Sequence, residues 1–132
     1  MGGRKKILVI DDDPDFLDYV QIILTANNYE IVTATNAEDG LSMVRTERPD
    51  LVIVDVMMSY ALDGWTVSRK MRADPELEDV PVMMVSAVIS DQDEELLPPD
   101  RDRLVDDFVR KPLDPSELLH CVRDLTGQCS SE

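Results

Sequence analysis

Five residues of this sequence carry side chains suited to a phosphoryl group or a hard metal ion, and each follows an apolar run. Asp11 and Asp12 come after Ile7-Leu8-Val9-Ile10, and Asp55 after Leu51-Val52-Ile53-Val54. Ser86 follows Val82-Met83-Met84-Val85, and Lys111 closely follows Asp107-Phe108-Val109. A carboxylate can itself take a phosphoryl group as nucleophile. Three carboxylates in one place repel one another unless some are protonated or a cation lies among them. Oxygen donors of this kind suit a hard divalent ion, Mg²⁺ ahead of Ca²⁺ in a cytosol. A hydroxyl and an ammonium are the groups to set around phosphoryl oxygens, whose transfer depends on positioning and charge neutralisation.

The elements that would position these residues are legible from pattern. The runs at 6–10 and 51–54 lack polar alternation and are rich in β-branched residues, the mark of strands buried on both faces. Residues 30–35, 82–85 and 107–109 read as three further strands. Asp13-Pro14 reads as an N-cap with proline at the first helical position, opening a helix with Phe16, Val20, Ile23 and Leu24 at helical spacing and a stop at Asn27-Asn28. Asn36 with Asp39 resembles a capping box ahead of Ala37, Leu41 and Val44. A short helix runs from about Trp65 to Arg72 after a loop ending at Gly64. Asp114-Pro115 opens a last helix whose stripe is Leu118, Leu119, Val122 and Leu125, stopped by Gly127. Between 88 and 104, Pro98-Pro99 denies a long helix, so this segment reads as irregular.

Strand alternating with helix implies parallel strands, right-handed crossovers and helices on both faces. The C-terminal edge of such a sheet is where ligands bind, and all five residues arrive there. Asp13 reads as a helix cap alone. Trp65 and the methionines Met57, Met58, Met71, Met83 and Met84 read as packing. His120 stands on the last helix without a Cys or acid at ligand spacing and is assigned no metal or phosphodonor role.

Length and composition bound the reading further. At 132 residues the chain is one domain, large enough for its own core. Cys121 and Cys129 read as thiols in a reducing compartment, and no run approaches the roughly 20 apolar residues of a membrane span. A soluble, cytoplasmic protein without membrane association is expected. The net charge of −15 argues against direct nucleic-acid binding, which draws on Lys and Arg displacing counterions from phosphates.

Taken together, Ile-Leu-Val-Ile-Asp-Asp-Asp-Pro, Pro-Asp-Leu-Val-Ile-Val-Asp-Val-Met-Met, Val-Ser-Ala and Phe-Val-Arg-Lys-Pro-Leu resemble the receiver domain of two-component response regulators, the CheY-like superfamily. The resemblance spans about residues 5 to 126 and implies a three-layer flavodoxin-like α/β fold with a five-stranded parallel sheet in the order 2-1-3-4-5. By that resemblance residues 1–5 are a lead-in, 6–126 the receiver domain and 127–132 a polar tail. It implies that Asp55 is phosphorylated from a sensor histidine kinase or histidine phosphotransfer protein. Asp11, Asp12, Asp55 and the carbonyl of Met57 are then the Mg²⁺ ligands, and Ser86 and Lys111 contact the acyl phosphate. Phe108 is the switch aromatic moving with Ser86, and Lys111-Pro112 is often cis in the family. Such a domain catalyses its own phosphorylation and hydrolysis without a separate substrate, and signals to an output partner or a second copy in a homodimer.

The sequence departs from the family twice. Ser59 replaces the usual proline after the acceptor and Asp63-Gly64 falls one residue late, lengthening the loop beside the metal. The usual fourth helix, part of the family's output surface, gives way to Pro98-Pro99 and a charged run. Two other readings therefore stand beside the first: a receiver-like interaction module that no longer uses phosphate, and a haloacid-dehalogenase-type phosphotransferase with Asp11 as nucleophile and Asp13 as acid. The chain is readable either as a whole protein or as a piece of a larger regulator or hybrid kinase.

Overall fold

A computed structural model describes residues 5–55, 63–86, 107–110 and 114–126. Five strands form one sheet: β1 (Lys6–Ile10), β2 (Glu30–Ala34), β3 (Leu51–Asp55), β4 (Val82–Ser86) and β5 (Asp107–Arg110). Their spatial order is β2-β1-β3-β4-β5, all parallel, as the resemblance implied. The described helices are α1 (Pro14–Ala26), α2 (Ala37–Glu47), α3 (Asp63–Ala73) and α4 (Pro115–Thr126). The expected irregular segment at 88–104 and the stop at Gly127 lie outside the described residues.

The buried runs work because successive strand side chains point to opposite faces. Ile7, Val9, Leu51, Ile53, Met83 and Val85 meet Phe16, Leu17, Val20 and Leu24 of α1 and Leu118 and Val122 of α4 on one face. Leu8, Ile10, Val52, Val54, Val82 and Met84 meet Leu41 and Val44 of α2 and Val67 and Met71 of α3 on the other. Every residue of β3 is buried. Each of these side chains contributes roughly 1.5–3 kcal/mol on leaving water, which keeps the central strand, and the carboxylate at its end, in fixed register.

Helix starts follow the expected chemistry. Asp13 Oδ1 accepts the Asp15 N–H at 3.0 Å with Pro14 at the first position, and Asn36 Oδ1 accepts the Asp39 N–H at 2.8 Å. Asp114 Oδ1 accepts the Glu117 N–H at 2.7 Å. Several boundaries and faces differ from the sequence reading; β4 and β5 each run one residue further, to Ser86 and Arg110. β2 ends at Ala34, one residue early. α3 takes in Asp63 and Gly64, because burial of Val67 and Met71 outweighs the turn preference of an Asp-Gly pair. On α4, Thr126 is buried while Leu119 and Leu125 are half-buried; the Thr126 hydroxyl donates to the Val122 carbonyl at 2.8 Å, which removes the cost of its burial. No helix among the described residues is long and apolar enough to cross a membrane.

Candidate functional site

Parallel pairing sets Ile10 beside Val54 and Asp55 beside Val85. Two stretches far apart in the chain therefore end side by side, and their first polar residues meet. Asp11 extends the β1–β2 pairing by one hydrogen bond, its N–H donating to the Ala34 carbonyl at 3.0 Å. Its side chain is fully buried, and Oδ1 accepts the Asp13 N–H at 2.9 Å. Asp55 closes β3 and is 7 % exposed, whereas Asp12 faces solvent. One carboxylate oxygen from each of Asp11, Asp12 and Asp55 lies within 4.8 Å of the others. Among the described residues this is the one group of three acid, His or Cys side chains so placed.

The donor set fits a hard cation. All three ligand groups are carboxylates, two of them buried, and burial without a compensating positive charge raises the cost of each further negative charge. Mg²⁺ needs only a few carboxylates and keeps several waters, which a partly exposed set of this kind allows.

The other expected site residues are placed only in part. Ser86 ends β4 opposite Arg110 of β5, so its backbone reaches the same edge. Phe108 lies on β5 opposite Met84. The side chains of Ser86 and Phe108, and the whole of Met57, Lys111 and the Lys111-Pro112 peptide, lie outside the described residues. Asp13 is exposed and caps α1, as expected. His120 corrects the sequence reading: Asp124 stands one turn on, with Oδ2 3.7 Å from His120 Nε2, both side chains exposed. Among the described residues no third acid, His or Cys joins that pair.

At the opposite edge of the sheet the charges are paired. Lys6 Nζ donates to Glu47 Oε1 at 3.0 Å and lies 3.6 Å from Glu30 Oε2. The Glu47 hydrogen bond, with smaller help from the Glu30 charge and against some desolvation, holds the Lys6 ammonium above the usual lysine range. This node was missed at the sequence level, since Lys6, Glu30 and Glu47 share no local motif.

The geometry agrees with what the chain is similar to. The response regulator receiver domain family matches residues 7–123. The chain is 36% identical over 120 residues to the DNA-binding dual master transcriptional regulator RpaA of Synechocystis, covering 91% of this chain and 48% of that protein. It is 35% identical over 127 residues to the response regulator PleD of Caulobacter vibrioides, covering 92% and 26%. The chain thus spans about half the length, or less, of these relatives. Among solved structures, the signal receiver domain of a signal transduction histidine kinase from Syntrophus aciditrophicus superposes with a TM-score of 0.82 at 25% identity, covering 97% of this chain and 94% of that one. With a parallel 2-1-3-4-5 sheet, three carboxylates at its C-terminal edge and a family match over most of its length, the chain belongs to the receiver domains of two-component response regulators.

Proposed function

We propose that Asp55 accepts a phosphoryl group from a phosphohistidine on a sensor histidine kinase or histidine phosphotransfer protein, and that the phosphorylated domain switches a partner-binding surface. The observation that supports this reading is the meeting of Asp11, Asp12 and Asp55 within 4.8 Å at the end of the central strand. A carboxylate oxygen of Asp55 attacks phosphorus while the P–N bond breaks, its electron pair returning to the imidazole ring, which carries a proton on its other nitrogen and so leaves as neutral imidazole. Asp11, Asp12, Asp55 and the Met57 carbonyl would hold Mg²⁺. When bound, that ion offsets the charge of the carboxylates and of the incoming phosphoryl oxygens.

Ser86 and Lys111 pair with the phosphoryl oxygens, and Phe108 moves inward as the Ser86 hydroxyl turns. The added charge and acceptor atoms shift the population of the surface around β5 and α4. Hydrolysis of the acyl phosphate at the same site resets the domain. DNA binding in the name of the Synechocystis relative belongs to a chain about twice this length. For the residues present here, a net charge of −15 favours protein partners.

The haloacid-dehalogenase reading needs Asp13 as an acid over Asp11. Its carboxylate instead caps α1 through Asp15, which disfavours that role. Incubation with acetyl phosphate and Mg²⁺, followed by peptide mapping of the mass gain, separates the readings. Label on Asp55 is expected. Label on Asp11 points to the phosphotransferase, and no label to a module that has abandoned phosphate. An Asp55→Asn variant labelled as fully as the parent overturns the proposal.

A further inference from the structure

Asp13 reads from sequence as a cap and nothing more, yet its backbone and side chain act in two directions. Its side-chain Oδ1 accepts the Asp15 N–H at 3.0 Å and its carbonyl accepts the Leu17 N–H at 3.2 Å, so the residue is locked to the first turn of α1. Its own N–H points the other way and donates to Asp11 Oδ1 at 2.9 Å. The backbone of Asp11 is meanwhile tied to β2 through the Ala34 carbonyl at 3.0 Å. Asp11 is therefore held from two sides, its backbone by the sheet and its buried carboxylate by the helix start. The direction of the Asp13 N–H depends on the extended conformation at φ −92, ψ 109 that the cap maintains.

We propose that Asp13 is a positioning residue of the cation site, whose capping of α1 aims its own N–H at Asp11 and so fixes the orientation of a buried ligand carboxylate. The inference rests on the reading that Asp11, Asp12 and Asp55 hold Mg²⁺. It assigns the effect to the cap, not to the charge of Asp13: the carboxylate is exposed and turned to Asp15, so a neutral side chain with an acceptor oxygen should serve as well. Hydrogen bonds that orient a metal-bound group commonly govern affinity as much as the ligands do.

The test titrates Mg²⁺ alone into the full chain by calorimetry, comparing the parent with Asp13→Ala, Asp13→Asn, Asp13→Ser and Asn36→Ala. Asn36 caps α2 with side-chain bonds that run to Asp39 and to none of the three carboxylates, so its loss removes a cap without touching Asp11. Asp13→Ala should weaken Mg²⁺ binding about threefold to tenfold, at or below the lower limit of what a lost orienting partner costs, because the Asp13 N–H itself remains. Asp13→Asn and Asp13→Ser should bind within about twofold of the parent, since both side chains cap helices. Asn36→Ala should lose comparable thermal stability and bind Mg²⁺ as the parent does.

Unchanged binding in Asp13→Ala overturns the inference alone. Binding in Asp13→Asn as weak as in Asp13→Ala overturns it in favour of the charge. Equal weakening in Asn36→Ala overturns it in favour of general loosening. A parent that binds no Mg²⁺ overturns the reading of the site and this inference with it. If Asp13→Ala fails to fold, Asp13→Gly takes its place, since glycine also lacks the acceptor but costs a helix start less.

Discussion

Gly40 of α2 lies against Ile10 of β1 so closely that a Cβ at position 40 would stand 2.4 Å from Ile10 Cδ1 and 2.9 Å from its Cγ1. Ile10 is fully buried, β-branched and directly precedes Asp11, so it has little room to yield. Alanine improves intrinsic helix propensity by about 1 kcal/mol, but overpacking of a tight contact costs roughly 1–3 kcal/mol. Gly40→Ala is expected to destabilise by up to about 2 kcal/mol in urea denaturation. Ile10→Val removes the worst clash, so the double variant should be more stable than the sum of the singles. Strict additivity would show that the contact is relieved some other way.

Lys6 and Glu47 supply a pH dependence of known sign. The folded-state ammonium is held above the usual lysine range, chiefly by the Glu47 hydrogen bond. Its contribution is therefore fully present below the unfolded lysine pKa and is lost as pH rises through the folded one. The stability gap between the parent and Lys6→Met should be constant between pH 6 and 9, roughly spanning the range below the unfolded lysine pKa, and should shrink in more alkaline solution. A gap that widens there contradicts the assignment.

The Tyr29 hydroxyl is buried with no hydrogen-bond partner among the described residues. A buried polar group left unpaired costs about 1–3 kcal/mol. Tyr29→Phe keeps the ring against the α1 face of the core and removes that cost. Equal or higher stability is expected, with a gain of up to about 2 kcal/mol. A clear loss on equilibrium unfolding would mean that the hydroxyl is satisfied in solution.

If Asp11, Asp12 and Asp55 hold Mg²⁺ as proposed, stability depends on the cation. Mg²⁺ at about one hundred times its dissociation constant should then add roughly 2.7 kcal/mol to the parent, the shift expected of an ion that binds the folded chain and not the unfolded one. Asp55→Asn, lacking one of the crowded charges, should be more stable than the parent in a chelator by an amount on the order of 1 kcal/mol. It should respond far less to Mg²⁺. Thermal melts of both proteins with and without the ion check this, and equal Mg²⁺ shifts would remove Asp55 from the ligand set.

Much of the architecture was written in local pattern. Unbroken aliphatic runs at 7–10 and 51–54, short and rich in β-branched residues, read as strands covered on both faces, and Asp13, Asn36 and Asp114 each carry the acceptor that a helix start needs. The candidate acids Asp11, Asp12 and Asp55 follow from the same runs, because each strand end places its next residue at the sheet edge. Tertiary structure alone decided how those residues meet. The pairing of Ile10 with Val54 brings Asp11 and Asp55 together, and only burial distinguishes Asp11 from the exposed Asp12 beside it. Thr126 taking a buried position while Leu119 and Leu125 stand half-exposed also depends on how α4 is rotated against the sheet, which spacing alone leaves open. The Lys6–Glu47 node belongs to the same class, its partners 41 positions apart and set by the approach of whole elements, which residue type and period do not carry. The Asp13–Asp11 hydrogen bond spans two residues and is a local turn of the kind that Asp favours.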